Sequence, residues 1–217
     1  MTALVIFDCD GVLVDSEPIA NRVLAETLSS AGYPCTFAES VERFVGHNLE
    51  SIMIMVEAER GQELPPDFAR RVQAETFEAF RRKLRPVPEI GTALDRITHP
   101  VCVASSGTIE KMTLTLGLTG LMPYFDGRLF SARSVPRGKP HPDLFLYAAH
   151  HTGVAPAACV VVEDSIPGTR AGRAAGMRVL GYAGGTHVGR DHGARLAAAG
   201  AEVFTDMAAL PALIGTD

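Results

Sequence analysis

Short apolar runs rich in β-branched residues recur along the chain at 4–7, 101–104, 160–162, 179–182 and 202–205, and they read as strands. Helical patterns lie between them, at 110–117, 143–151, 168–175 and 194–199, with a closing helix at 207–214. Alternation of this kind is the mark of a parallel α/β sheet covered by helices. The stretch 168–176, Gly-Thr-Arg-Ala-Gly-Arg-Ala-Ala-Gly, is rich in small residues, which predicts a helix packed close to the sheet.

One segment breaks the alternation. From 16 to 85 there is no convincing strand, only helical patterns separated by Gly32-Tyr33-Pro34, Val45-Gly46-His47 and Leu64-Pro65-Pro66. Its second half is charge-dense, with Arg70, Arg71, Arg81, Arg82, Lys83 and Arg85 among acidic residues, as on a solvated helix face. Pro86 and Pro88 return the chain to the α/β pattern. The expected organisation is a Rossmann-like parallel sheet core, residues 1–15 and 86–217, with a helical insertion at 16–85.

Composition narrows the class. A chain of 217 residues, 47% hydrophobic and 21% charged, is an ordinary globular protein, one large domain or a domain carrying an insertion. Twenty Lys and Arg against 25 Asp and Glu leave a net charge of −5 and no basic stripe, which argues against nucleic acid as a partner. No obligate protein partner is evident. The four cysteines (Cys9, Cys35, Cys102, Cys159) are scattered, without a C-x-x-C pair or zinc-like spacing, and Cys102 and Cys159, inside apolar runs, read as buried free thiols. Residues 144–162 lack Asp, Glu, Lys and Arg but contain His150, His151, Gly153 and Pro156, so they are not a membrane span. An acidic residue already at position 8 does not suit a secretory signal, and a cytoplasmic protein is expected.

The chemistry gathers at strand ends. Phe7-Asp8-Cys9-Asp10-Gly11 ends the first run in two carboxylates, followed by a glycine that permits a sharp turn. Ligands of open α/β sheets bind at the carboxyl ends of strands, although a surface turn would use the same residues. Two carboxylates so close repel unless a cation or a shared proton compensates. The second run ends in Ser105-Ser106-Gly107, whose hydroxyls and backbone N–H groups suit a phosphate or a helix N-cap. A third ends in Glu163-Asp164-Ser165, and convergence of the two acidic pairs would suit a hard cation. Gly138-Lys139-Pro140 puts one of only three lysines in a turn. Neither a G-x-G-x-x-G nor a Walker A pattern is present, which weakens dinucleotide and P-loop readings.

In order, these four sites resemble the motifs of the haloacid dehalogenase-like (HAD) hydrolase superfamily: Asp8-Cys9-Asp10-Gly11, Ser105, Lys139 and Glu163-Asp164. The insertion after the first motif resembles the C1 cap of the β-phosphoglucomutase-like phosphatases. Asp15-Ser16-Glu17 and Arg43-Phe44-Val45-Gly46 look most like sugar-phosphate phosphatases of the 6-phosphogluconate phosphatase type. The resemblance implies a nucleophile at Asp8 forming an aspartyl-phosphate, and a general acid–base at Asp10. It implies Mg²⁺ held by Asp8, the Asp10 carbonyl and Asp164, with Glu163 nearby. Lys139, Ser105 and Ser106 would cradle the phosphate, and His47 and Asn48 would meet a small phosphorylated metabolite from the cap. Rival readings are a phosphosugar mutase, which usually carries an Arg soon after the cap-loop Gly where this chain has Gly46-His47-Asn48, and a dehalogenase, which has no use for Asp10 or a metal. A third rival is a non-enzymatic phosphoacceptor module.

Overall fold

The computed structural model describes residues 1–44, 48–125, 127–186 and 188–215 of the 217-residue chain. Its strands are β1 (Leu4–Phe7), β2 (Val101–Ser105), β3 (Leu129–Ser131), β4 (Cys159–Glu163), β5 (Arg178–Tyr182) and β6 (Glu202–Phe204). They form one sheet in the order β3-β2-β1-β4-β5-β6, every neighbouring pair parallel. This is the parallel α/β architecture that the apolar runs predict. Every residue of β1, β2 and β4 is buried. Helices cover both faces of such a sheet, so its inner strands are continuously apolar rather than alternating.

Strand β1 lies at the centre, with Phe7 opposite Val103 of β2 on one side and Val162 of β4 on the other. The strand order reverses here, and the reversal opens a crevice at the carboxyl ends, where ligands of doubly wound sheets bind. Three adjacent strand ends therefore deliver Asp8, Ser105 and Glu163-Asp164 to one place.

Contacts divide the chain into two compact units, residues 16–84 and residues 1–15 with 85–217. The first holds α1 (Glu17–Ser30), α2 (Phe37–Phe44), α3 (Leu49–Arg60) and α4 (Phe68–Lys83), and no strand among its described residues. Leu28, Phe44, Val56 and Phe68, each at most 2% exposed, anchor its own core. Burying a side chain of this size contributes about 1.5–3 kcal/mol. The charged residues of α4 lie on its surface: Arg81 and Arg82 both reach Glu78, at 3.6 and 3.5 Å, in exposed pairs of little energetic weight. Arg43 is tied within the same unit, donating to the Tyr33 hydroxyl and to Glu59, both at 2.6 Å.

The other unit carries α5 (Ile90–Arg96), α6 (Ile109–Leu118), α7 (Met122–Phe125), α8 (Asp143–Thr152), α9 (Ile166–Ala174), α10 (His192–Ala198) and α11 (Leu210–Ile214). Its α9 is the helix rich in small residues. A Cβ on Gly172 would stand 2.7 Å from Val179 Cγ2 of β5, so only glycine allows this approach. Periodicity did not predict β3, α5 or α7. Strand β3 has three residues at a sheet edge and two of them are half-exposed, so it leaves no apolar run. The closing helix expected at 207–214 is split: a 3₁₀ turn capped by Asp206 comes first, and α11 then starts with Pro211 in its first turn, where a missing N–H costs nothing.

Candidate active site

Asp8 immediately follows β1, and its N–H continues the ladder by donating to the Val162 carbonyl at 2.9 Å. The chain then turns sharply. Gly11 adopts φ +79°, a left-handed conformation that a side chain would strain, and its N–H donates to the Val14 carbonyl at 2.9 Å. Cys9, between the two aspartates, is 1% exposed, with Sγ 3.7 Å from the Thr115 hydroxyl. Burial, with Asp10 and Asp8 adding to it, pushes its thiol well above the usual range, so Cys9 is packing and not a competing nucleophile.

Lys139 Nζ donates to Asp8 Oδ1 at 2.5 Å and to Glu163 Oε1 at 2.6 Å, and the side chains of Lys139 and Glu163 are 5% and 1% exposed. The second Glu163 oxygen accepts from the Ser165 N–H at 2.6 Å. Room for this carboxylate exists because α9 begins with Ile166-Pro167-Gly168: a Cβ on Gly168 would sit 1.7 Å from Glu163 Oε1. The Ser165 hydroxyl, accepting from the Gly168 N–H at 3.0 Å, caps the helix and fixes that register.

Electrostatics make this end of β1 unusual. Burial pushes the Asp8 carboxyl well above its usual range. Lys139 pulls it back, while Glu163, Asp164 and Asp10 push it further up. Burial alone would lower the Lys139 ammonium, but Asp8 and Glu163 outweigh it and the net shift is upward. Lys139 therefore stays charged, and the acidic cluster around it is short of positive charge.

Two strands away from β4, Ser105 ends β2, is 1% exposed, and accepts from the Gly107 N–H at 3.0 Å. The Gly107 carbonyl accepts from Ser131 Oγ of β3 at 2.7 Å. Thr108 caps α6 by accepting from the Lys111 N–H at 3.1 Å, which sets Lys111 in the first turn. From there the Lys111 ammonium reaches both Asp10 oxygens, each at 2.9 Å.

Residues 5–182 match the haloacid dehalogenase-like hydrolase family, a span that contains Asp8, Asp10, Ser105, Lys111, Lys139, Glu163 and Asp164. The chain belongs to the haloacid dehalogenase-like hydrolases. Among curated relatives of this HAD-like hydrolase, the 6-phosphogluconate phosphatase of Escherichia coli is 36% identical over 184 residues, covering 84% of this chain and 83% of its own. A solved haloacid dehalogenase-like protein of Agrobacterium tumefaciens is 40% identical with a TM-score of 0.88, covering 99% of this chain and 98% of its own. A HAD family hydrolase of Deinococcus radiodurans, solved with bound phosphate and sodium, is 30% identical with a TM-score of 0.79, over 100% of this chain and 99% of its own.

Of the residues singled out in the sequence, Asp8, Asp10, Lys139 and Glu163 are thus linked by direct contacts or through-space charge, with Asp164, 6% exposed, beside them. Glu163, expected near a cation, has both oxygens engaged by Lys139 and the Ser165 N–H. It holds the lysine. Ser106 is exposed on the loop after β2. His47 lies outside the described residues. Asn48 is exposed and caps α3, its side-chain oxygen accepting from the Ser51 N–H at 2.8 Å. Two contributors were missed. Lys111 looks in sequence like any cation on a helix surface, its rarity being the one signal. His192, at the start of α10, places Nε2 2.6 Å from the Asp164 carbonyl, and nothing in its neighbourhood announces that contact.

Proposed function

We propose that this hydrolase cleaves the phosphate monoester of a small sugar or sugar acid through a phosphorylated Asp8. The observation that carries this reading is the buried Asp8–Lys139–Glu163 bridge at the central strand end, within a family whose curated relative in Escherichia coli is named for that chemistry. An Asp8 oxygen attacks phosphorus and the phosphorus–sugar oxygen bond breaks, the departing oxygen taking a proton from Asp10. Water then gives a proton to Asp10 and attacks the aspartyl-phosphate, releasing inorganic phosphate and restoring the Asp8 carboxylate. Lys139 supplies fixed positive charge to the transferring group, and Ser105 with the N–H groups that follow it bounds the phosphate on the β2 side.

A divalent cation fits this donor set. A carboxyl held above its usual range by burial and by neighbouring carboxylates is a poor nucleophile, and a cation there would reverse the local field. The groups that would hold it are the Asp8 and Asp164 carboxylates and the Asp10 carbonyl, all oxygens, which select a hard ion such as Mg²⁺. Among the described residues no group of three His, Cys, Asp or Glu side chains is spaced to hold a metal ion by itself. When bound, the ion neutralises charge on phosphate and nucleophile.

A phosphate-release screen over sugar phosphates, sugar-acid phosphates, phosphoglycolate and nucleotides tests the proposal. Release from a sugar or sugar-acid phosphate is expected, abolished by chelator and restored by Mg²⁺. Isomerisation of a sugar phosphate without release would assign a mutase instead, and a phosphoprotein stable for minutes would assign a phosphoacceptor module.

A further inference from the structure

We propose that Lys111 is a positioning residue for the reaction, holding the Asp10 carboxylate in the orientation from which it exchanges protons with the sugar oxygen and with water. The inference rests on the acid–base reading of Asp10 given above. Asp10 stands on the turn after β1, beyond the regular ladder, so the strand alone does not fix its side chain. The Lys111 ammonium, 2.9 Å from each carboxylate oxygen, does.

Two neighbours place Lys111 itself. The Thr108 cap sets its backbone at the third position of α6. Its stem runs beside Gly107, where a Cβ would lie 3.4 Å from Lys111 Cδ and 3.8 Å from Asp10 Oδ2. Gly107 in turn is tied to β2 through Ser105 and to β3 through Ser131. The Thr108 cap and the sheet-tied Gly107 thus flank the lysine that reaches the Asp10 carboxylate. The pair is partly exposed, with 26% and 17% of the two side chains accessible, so Asp10 stays reachable by substrate and water while its rotamer is held. Proton transfer demands heavy atoms within roughly 2.6–3.2 Å. A displacement of about 1 Å at such a group costs on the order of 10²-fold in rate.

The test compares Lys111→Met, Lys111→Arg, Asp10→Asn and the Lys111→Met/Asp10→Asn double variant of the full chain. Substrates are the best sugar phosphate from the screen and an aryl phosphate, whose stabilised leaving group needs little proton donation. Lys111→Met keeps the stem beside Gly107 and removes the ammonium. It is expected to lower kcat on the sugar phosphate roughly 10–10²-fold, with little change in KM and a much smaller effect on the aryl phosphate burst. Lys111→Arg should recover most of the loss. In the Asp10→Asn background, removing the Lys111 ammonium should add almost nothing, because the group it acts through is already disabled. Multiplicative losses in the double variant would show that Lys111 meets the substrate directly, and they would overturn the proposal. So would normal sugar-phosphate turnover by Lys111→Met, or equal losses on both substrates. Normal turnover by Asp10→Asn alone would instead remove the acid–base reading itself, an outcome distinct from the failure of Lys111.

Discussion

Two aspartates two residues apart each meet a lysine, yet the surroundings are opposite. The Lys139–Asp8 pair is nearly dry, with side chains 5% and 10% exposed, and Lys139 is shared with a fully buried Glu163. The Lys111–Asp10 pair is open to solvent at 26% and 17%. In the dry pair the loss of Lys139 strands two carboxylates in a low dielectric, whereas loss of the Asp8 charge leaves Lys139 paired with Glu163. In the open pair water can replace part of what is lost. The same residue chemistry thus builds a fixed electrostatic platform at Asp8 and an accessible proton carrier at Asp10, and burial makes the difference.

Removing the nucleophile should give the largest effect. Asp8→Asn is expected to abolish turnover, a loss on the order of 10⁴–10⁶-fold, on sugar and aryl phosphates alike. Its melting temperature should stay near that of the parent, because a neutral amide relieves crowding among four carboxylates. Near-normal kcat with no phosphorylated intermediate trapped by acid quench would sink the covalent reading.

Lys139→Met should come next, with a kcat loss of roughly 10²–10³-fold and, unlike Lys111→Met, a clear loss of stability. It leaves Asp8 and Glu163 buried without their shared ammonium, a change that destabilises by about 3–5 kcal/mol. Urea unfolding of the two lysine variants side by side measures this difference, and equal stabilities would erase the distinction between dry and open pairs.

The smallest expected effect is Gly168→Ala, whose added methyl meets Glu163 Oε1 at 1.7 Å and must displace the carboxylate that holds Lys139. Overpacking of this kind costs about 1–3 kcal/mol. Activity should fall by a similar factor on sugar and aryl phosphates, since the Asp10 side is untouched. A change in the sugar-to-aryl ratio would mean that the two pairs are coupled.

Most of the residues that were legible in sequence share one property: they sit at the end of an apolar run. Asp8, Ser105 and Glu163-Asp164 sit where β1, β2 and β4 end, and strands buried on both faces advertise themselves as short, continuous hydrophobic stretches. Lys139 belongs to no strand. It was found through its rarity and its place in the family motif, and its bond to Asp8 spans 131 positions. Lys111 was passed over because a lysine in the first turn of a helix carries no signal of what its ammonium reaches. Strand β3 was invisible for a related reason: an edge strand with two half-exposed residues need not be apolar.

By itself, the sequence determined the alternation of strands and helices, the strand-free stretch after β1 and the acidic strand ends, because each of these is written in local spacing and residue type. Tertiary structure alone decided which carboxylate is dry and which is open, that Glu163 faces Lys139, and that Lys111 holds Asp10. Those outcomes depend on strand order, on helix caps and on glycines that admit a neighbouring side chain, and the lysine–carboxylate contacts that result join residues 24 to 131 positions apart that no local pattern connects.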